Sequence, residues 1–303
     1  MRPKISDKEF ALRVQKTQEL MRNADIDVLL AYGNETEPQF VRYYSDYWPS
    51  FESAGVLMAQ GGEPLLLIGP ESMTYASDRS RIHQIRRLSA FRESSNPEYP
   101  GHVLDEFSDV LKAVLQGAKF RRIAIAGYNM MPYVVFRELQ DALKQFGDVQ
   151  IVRGDDLVMQ LRMIKSPAEI DCLRRAGEIT AKTFQYVCEN IRPGMTELQV
   201  RGLANAKMYE LGAEDESYPA WILAGHGGNQ AISRARHVII QERDMVHLQI
   251  GARYEGYAST IGRPVFFGEP EPQLLRAVEA GWEGYHAILS ELRAGNNAGN
   301  VAD

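Results

Sequence analysis

Apolar positions in this chain switch between a helical and a strand period many times. Phe10, Val14 and Leu20-Met21 recur at helical spacing up to about Asn23. They follow Ser6-x-x-Glu9, a capping box in which hydroxyl and carboxylate each satisfy an exposed amide. Asp27 to Tyr32 is a short apolar run, as a buried strand requires, and Phe40 to Tyr44 reads as another. Gly55 to Ala59 and Pro64 to Ile68 flank Gly61-Gly62 as a hairpin. Helices over Met73 to Arg79, Val103 to Leu115 and Tyr133 to Gln145 then alternate with strands near Gln84 to Leu88, Arg122 to Ala126 and Val149 to Val152. Such alternation predicts a mixed sheet flanked by helices.

Beyond about residue 160 the pattern becomes helical for longer. Asp155 to Ile164 reads as a linking helix. Ser166-Pro167-Ala168-Glu169 is a strong helix start, with Ser166 as N-cap, Pro167 at the first helical position and Glu169 closing the box. Ile170, Leu173, Gly177, Ala181, Phe184, Val187 and Ile191 form one stripe behind it. Arg192-Pro193-Gly194 breaks this helix, and Thr196 with Gln199 starts another that runs to Leu211. A strand is predicted at Trp221 to Ala224. The glycine cluster Gly225-His226-Gly227-Gly228-Asn229 lacks the lysine and hydroxyl of a phosphate loop, so it reads as a tight turn. Val246, Leu248 and Ile250 then alternate with His247 and Gln249, the period of a strand with one apolar face. Glu255-Gly256 supplies a turn, and Tyr257 to Phe267 returns, predicting a β-hairpin over 244–267. Pro272 to Leu292 is amphipathic.

Composition narrows the classes. A length of 303 residues predicts two domains, with boundaries at 1–160 and 161–303. Hydrophobic content of 45% and charged content of 24% are those of an ordinary globular protein. A net charge of -6 argues against nucleic-acid and anionic-membrane partners. No apolar run approaches the ~20 residues of a membrane span, and the start Met1-Arg2-Pro3-Lys4-Ile5-Ser6-Asp7 has no apolar core of a signal peptide. Cys172 and Cys188 fall on one predicted helix. At 1.5 Å rise per residue they sit roughly 24 Å apart and cannot pair within the chain. Free thiols fit a reducing cytoplasm.

The 244–267 stretch resembles the core hairpin of the pita-bread family of prolidase, aminopeptidase P, methionine aminopeptidase and creatinase. Its metallopeptidases read roughly Gly-Asp-x-Val-x-x-Asp-x-Gly, then Gly-Tyr-x-Ser-Asp-x-x-Arg. Asp244, Val246, Gly251, Gly256, Tyr257, Ser259 and Arg263 fall in place. Gln249 and Thr260 stand where the two metal-binding aspartates would be. Arg162-x-Ile-Lys-Ser-Pro-x-Glu-Ile resembles the family's entry into its catalytic domain, and Pro-Gly-x-Thr-Glu resembles a turn of the family. The resemblance implies an α/β chain: a mixed-sheet creatinase/prolidase-type amino-terminal domain, then the first half of an α+β pita-bread domain. Arg293-Ala294-Gly295 onward resembles the turn that opens the second half, so a truncated catalytic domain is expected.

The same resemblance implies a hydrolase of a C–N bond, whether amide, amidine or peptide, in a small molecule or short peptide. Two carboxylates offset the charge of paired divalent ions, and a neutral amide and a hydroxyl do not. Metal-free catalysis, as in creatinase, is therefore expected, with no metal and no cofactor. A metal-dependent Xaa-Pro peptidase and a non-catalytic peptide-binding module are the alternatives. The residues that would carry the chemistry are Gln249, Thr260, His247 and Arg234, the last at the place of the family's catalytic histidine. Phe51, Trp48 and His226 would contact substrate. Tyr43-Tyr44-Ser45-Asp46 and Ser50-Phe51 resemble creatinase where its loop reaches the other subunit's site, which implies a homodimer; packing of these aromatics on their own sheet is the other reading.

Overall fold

The computed structural model describes residues 3–93 and 99–302. Met1 and Arg2 of the amino-terminal stretch and Asp303 at the other end lie outside them. The chain forms two compact units, Met1–Cys172 and Leu173–Asp303.

In the first unit the order is α1 (Asp7–Asn23), β1 (Val28–Gly33), α2 (Gln39–Ser45), β2 (Ala54–Ala59), β3 (Leu65–Ile68), α3 (Met73–Arg79), β4 (Ile85–Arg87), α4 (Phe107–Leu115), β5 (Arg122–Ala126), α5 (Tyr133–Leu143), β6 (Gln150–Arg153) and α6 (Asp155–Met163). The six strands make one mixed sheet in the order β4-β3-β2-β1-β5-β6. Strand β1 is antiparallel to β2 and parallel to β5, and is buried throughout. Successive side chains of a strand point to opposite faces, so β1 feeds two cores. Leu30 joins Leu57, Ile123 and Ile125 under Phe107, Leu111 and Leu139 of α4 and α5. Leu29 and Ala31 join Met58 and Ala124 under Val14, Phe40, Val41 and Val158 of α1, α2 and α6.

Two expectations are corrected here. The predicted strand at Phe40 to Tyr44 is the helix α2. Phe40, Val41 and Tyr44 lie one and four residues apart, which is also one face of a helix, and all three are buried. Asp46, at φ 60°, ends this helix and donates its N–H to Arg42 at 2.9 Å. Helix α4 starts at Phe107 rather than Val103, which is 82% exposed. Glu106 and Asp109 form its capping box.

Helix α7 (Pro167–Asn190) runs unbroken across the border between the units and carries both free cysteines, Cys172 buried and Cys188 half-buried. The second unit continues with α8 (Glu197–Glu210), β7 (Asp215–Glu216), β8 (Trp221–Ala224), β9 (Met245–Ile250), β10 (Ala252–Tyr254), β11 (Tyr257–Ala258), β12 (Ile261–Phe266), α9 (Pro272–Glu291) and α10 (Ala298–Ala302). The expected single hairpin is divided between two sheets, β12-β9-β8 and β11-β10-β7. Gly251 is the break. A methyl group there would lie 2.1 Å from Ser217 Oγ and 2.4 Å from the Ser259 carbonyl oxygen. The tip is a two-residue turn in which Glu255 (φ 49°) and Gly256 (φ 83°) are both left-handed, the twist that hairpins favour.

Candidate functional site

Strand β9 alternates half-buried and buried residues, with Val246, Leu248 and Ile250 inward. His247 and Gln249 share the other face, and His247 Nε2 lies 3.4 Å from Gln249 Oε1. Gln249 stands between Trp221 of β8 and Gly262 of β12 in the strand register. Gly262 has no side chain to cover the Gln249 amide. Thr260 sits in the link between β11 and β12, two residues before Gly262. Its hydroxyl makes a short contact with the Tyr218 hydroxyl and is 3.4 Å from the Ile250 carbonyl oxygen. Tyr218 meets Trp221 edge-on, with centroids 5.7 Å apart. His247 with Gln249, and Thr260 with Tyr218 and Trp221, therefore form two polar groups that adjoin at the Trp221–Gln249 register, and none of the five is a carboxylate.

Sequence reasoning missed Tyr218 and Trp221 in this role. Tyr218 lies in the loop before β8, where no period marks it, and its partner is forty-two residues away.

The structure does not bring Arg234 or His226 into either group. Arg234 is exposed, and His226 is exposed on a single 3₁₀ turn over Gly225–Asn229. The arginine that is held is Arg236. Its guanidinium meets Glu197 at 2.8 and 3.1 Å, and its backbone N–H donates to the same carboxylate at 2.7 Å. Glu197 is fully buried and also accepts the Ala224 N–H at 2.8 Å. This hydrogen bonding raises the Arg236 pKa above the ordinary arginine value. Arg236 therefore stays charged, and the pair pins the end of β8 to the loop that follows.

Trp48 and Phe51 belong to the first unit. Trp48 donates its indole N–H to the Glu35 carbonyl at 2.8 Å and lies under Arg42. Tyr47 is buried, and burial pushes its phenol up to about 12, so it is neutral at physiological pH. Of these three aromatics Phe51 alone faces solvent, at 77% exposure and φ 59°.

A pair of hydrolytic metal ions, about 3.5–4 Å apart, needs bridging carboxylates. The hairpin offers an amide in contact with His247 and a hydroxyl in contact with Tyr218. Among the described residues no three His, Cys, Asp or Glu side chains gather as a metal-binding group. The donor set of β9 and β12 does not fit such a centre.

The fold and the hairpin define a two-part chain of the creatinase and prolidase type. Residues 13–164 match the creatinase/prolidase N-terminal domain, and residues 171–303 match metallopeptidase family M24. The chain belongs to this pita-bread family. It is 28% identical over 167 residues to the uncharacterized peptidase YqhT of Bacillus subtilis, spanning 55% of this chain and 46% of that one. It is 24% identical over 315 residues to the ectoine hydrolase of Halomonas elongata, spanning 97% of this chain and 74% of that one. The crystal structure of an X-Pro aminopeptidase from Thermotoga maritima has the same fold, with a TM-score of 0.75 at 24% identity over 91% of this chain and 70% of that one. Among the described residues no helix is long and apolar enough to cross a membrane.

Proposed function

We propose that this chain is a hydrolase that cleaves a C–N bond in a small molecule or short peptide without metal at its hairpin. The observation that carries this reading is the set of polar groups without a carboxylate around Gln249 and Thr260. A carbonyl or amidine carbon under attack gains negative charge on its heteroatom, and fixed donors stabilise that charge. A proton on His247 Nε2 would donate to Gln249 Oε1, turning the Gln249 N–H groups outward as such donors and leaving His247 Nδ1 as a base. Thr260, fixed by Tyr218, supplies a further hydroxyl. The matches to a peptidase and to an ectoine hydrolase support C–N hydrolysis as the reaction class.

The test is turnover of a panel of small amides, amidines and Xaa-Pro dipeptides in excess EDTA. We expect undiminished rates, and a roughly 100-fold loss of kcat in Gln249→Ala, the scale of one lost donor to a developing oxyanion. The second reading, a metal-dependent Xaa-Pro peptidase, is favoured by the metallopeptidase family match. It gains if EDTA abolishes turnover and manganese or cobalt restores it. Exposed Phe51 supports a homodimer in which this loop approaches a partner's hairpin. Light scattering should then give twice the chain mass of 34.2 kDa; a monomer at micromolar concentration rejects it.

A further inference from the structure

Beside Thr260 a cleft of about 350 Å³ opens between α7, the start of β12 and Tyr285 of α9. Gly177, Ser259, Thr260, Arg263 and Tyr285 are among its lining residues. Arg263 is the one charged side chain in that lining, and no Asp or Glu is part of it. Among the described residues no carboxylate pairs with Arg263. One of its N–H groups goes to the Gly262 carbonyl at 2.6 Å, and its guanidinium lies over the Tyr285 ring at 5.6 Å. Guanidinium offers five donors in a planar fork, so most remain for an incoming group.

Gly177 supplies a second observation. It lies inside the 24-residue helix α7, where glycine is disfavoured because it loses the most backbone freedom. Packing within this unit does not require it. A methyl group there would meet only Ser259 Oγ, at an ordinary 3.8 Å. The missing side chain leaves open space beside the Ser259 hydroxyl, inside the cleft.

We propose that this cleft is a subsite for a carboxylate group of a small molecule, with Arg263 as its cation and the Ser259 hydroxyl as a further donor. A planar carboxylate matches the guanidinium fork in geometry and charge. Tyr285 would cover the apolar body of the ligand. This site goes beyond the hydrolase reading and does not rest on it. Arg263 pairs with Leu248, so its side chain lies on the opposite face of the sheet from Gln249.

Titration of benzoate into the whole chain at constant ionic strength tests it, with benzamide and benzylamine as neutral and cationic controls. Benzoate should bind roughly tenfold or more tightly than benzamide, the scale of a charge-assisted pair. Arg263→Gln should reduce benzoate to the benzamide level, and Arg263→Lys should restore part of it. Gly177→Leu should abolish benzoate binding while the melting temperature holds or rises. Equal affinity for benzoate and benzamide, or unchanged benzoate binding in Arg263→Gln, overturns the proposal. Benzoate binding by a chain that turns over nothing on the amide panel keeps the subsite and rejects the hydrolase reading instead.

Discussion

Glu197 shows what a single buried carboxylate does in this chain. It is fully buried and accepts four hydrogen bonds, two from backbone amides and two from the Arg236 guanidinium. Removing it leaves two amides unpaired and one cation without its partner, and unpaired groups cost their full desolvation. Arg236 is 39% exposed and can rehydrate, so the loss sits at the low end of the range for broken buried pairs. Glu197→Ala should lower stability by about 3 kcal/mol in urea unfolding; a loss under about 1 kcal/mol would show that the pair does not hold this loop. The sequence pointed to Glu197 only as part of a helix-opening turn. Its partners lie twenty-seven and thirty-nine residues away, and no local pattern encodes them. His247 and Gln249 were legible as neighbours because a strand places alternate residues on one face. Arg234 follows a glycine-rich turn in a loop, where no period says which side chains come together, and it is exposed.

At the scale of elements, glycine divides the expected hairpin. Gly251 lets the backbone pass close to Ser217 and Ser259, and β9 ends there while β10 joins another sheet. Gly202, inside α8, has no neighbour within 4 Å of an added methyl. The two sites should respond with opposite signs. Gly251→Ala should destabilise by about 2 kcal/mol through overpacking, and Gly202→Ala should stabilise by about 1 kcal/mol through helix propensity. Thermal unfolding of both variants checks this, and stabilisation by Gly251→Ala would contradict the close approach described. Most elements were legible from period and punctuation, among them β5, α3 and β8. Helix α2 was not, because seven residues with four apolar positions fit a strand as well as two turns of helix. The split of the hairpin was hidden because one of the two groups packed against Gly251 is Ser217, outside the hairpin.

For the whole molecule, the legible part was the layered first unit, where one buried strand feeds a core on each face. The amphipathic helix α9 was also legible, yet Trp282, Ile288 and Leu289 on it are 46–55% exposed. Its period predicted an apolar face without saying what meets it. The central claim concerns charge. The family motif surrounds Gln249 and Thr260, and neither they nor the groups touching them bring a carboxylate. The most direct test is calorimetric titration of manganese into the EDTA-stripped chain, with Gln249→Asp/Thr260→Asp alongside. The account predicts no stoichiometric binding by the wild-type chain and new binding by the double variant, because only the latter has two carboxylates to offset the ion's charge. Stoichiometric manganese binding by the wild-type chain that is lost in Gln249→Ala/Thr260→Ala would contradict it.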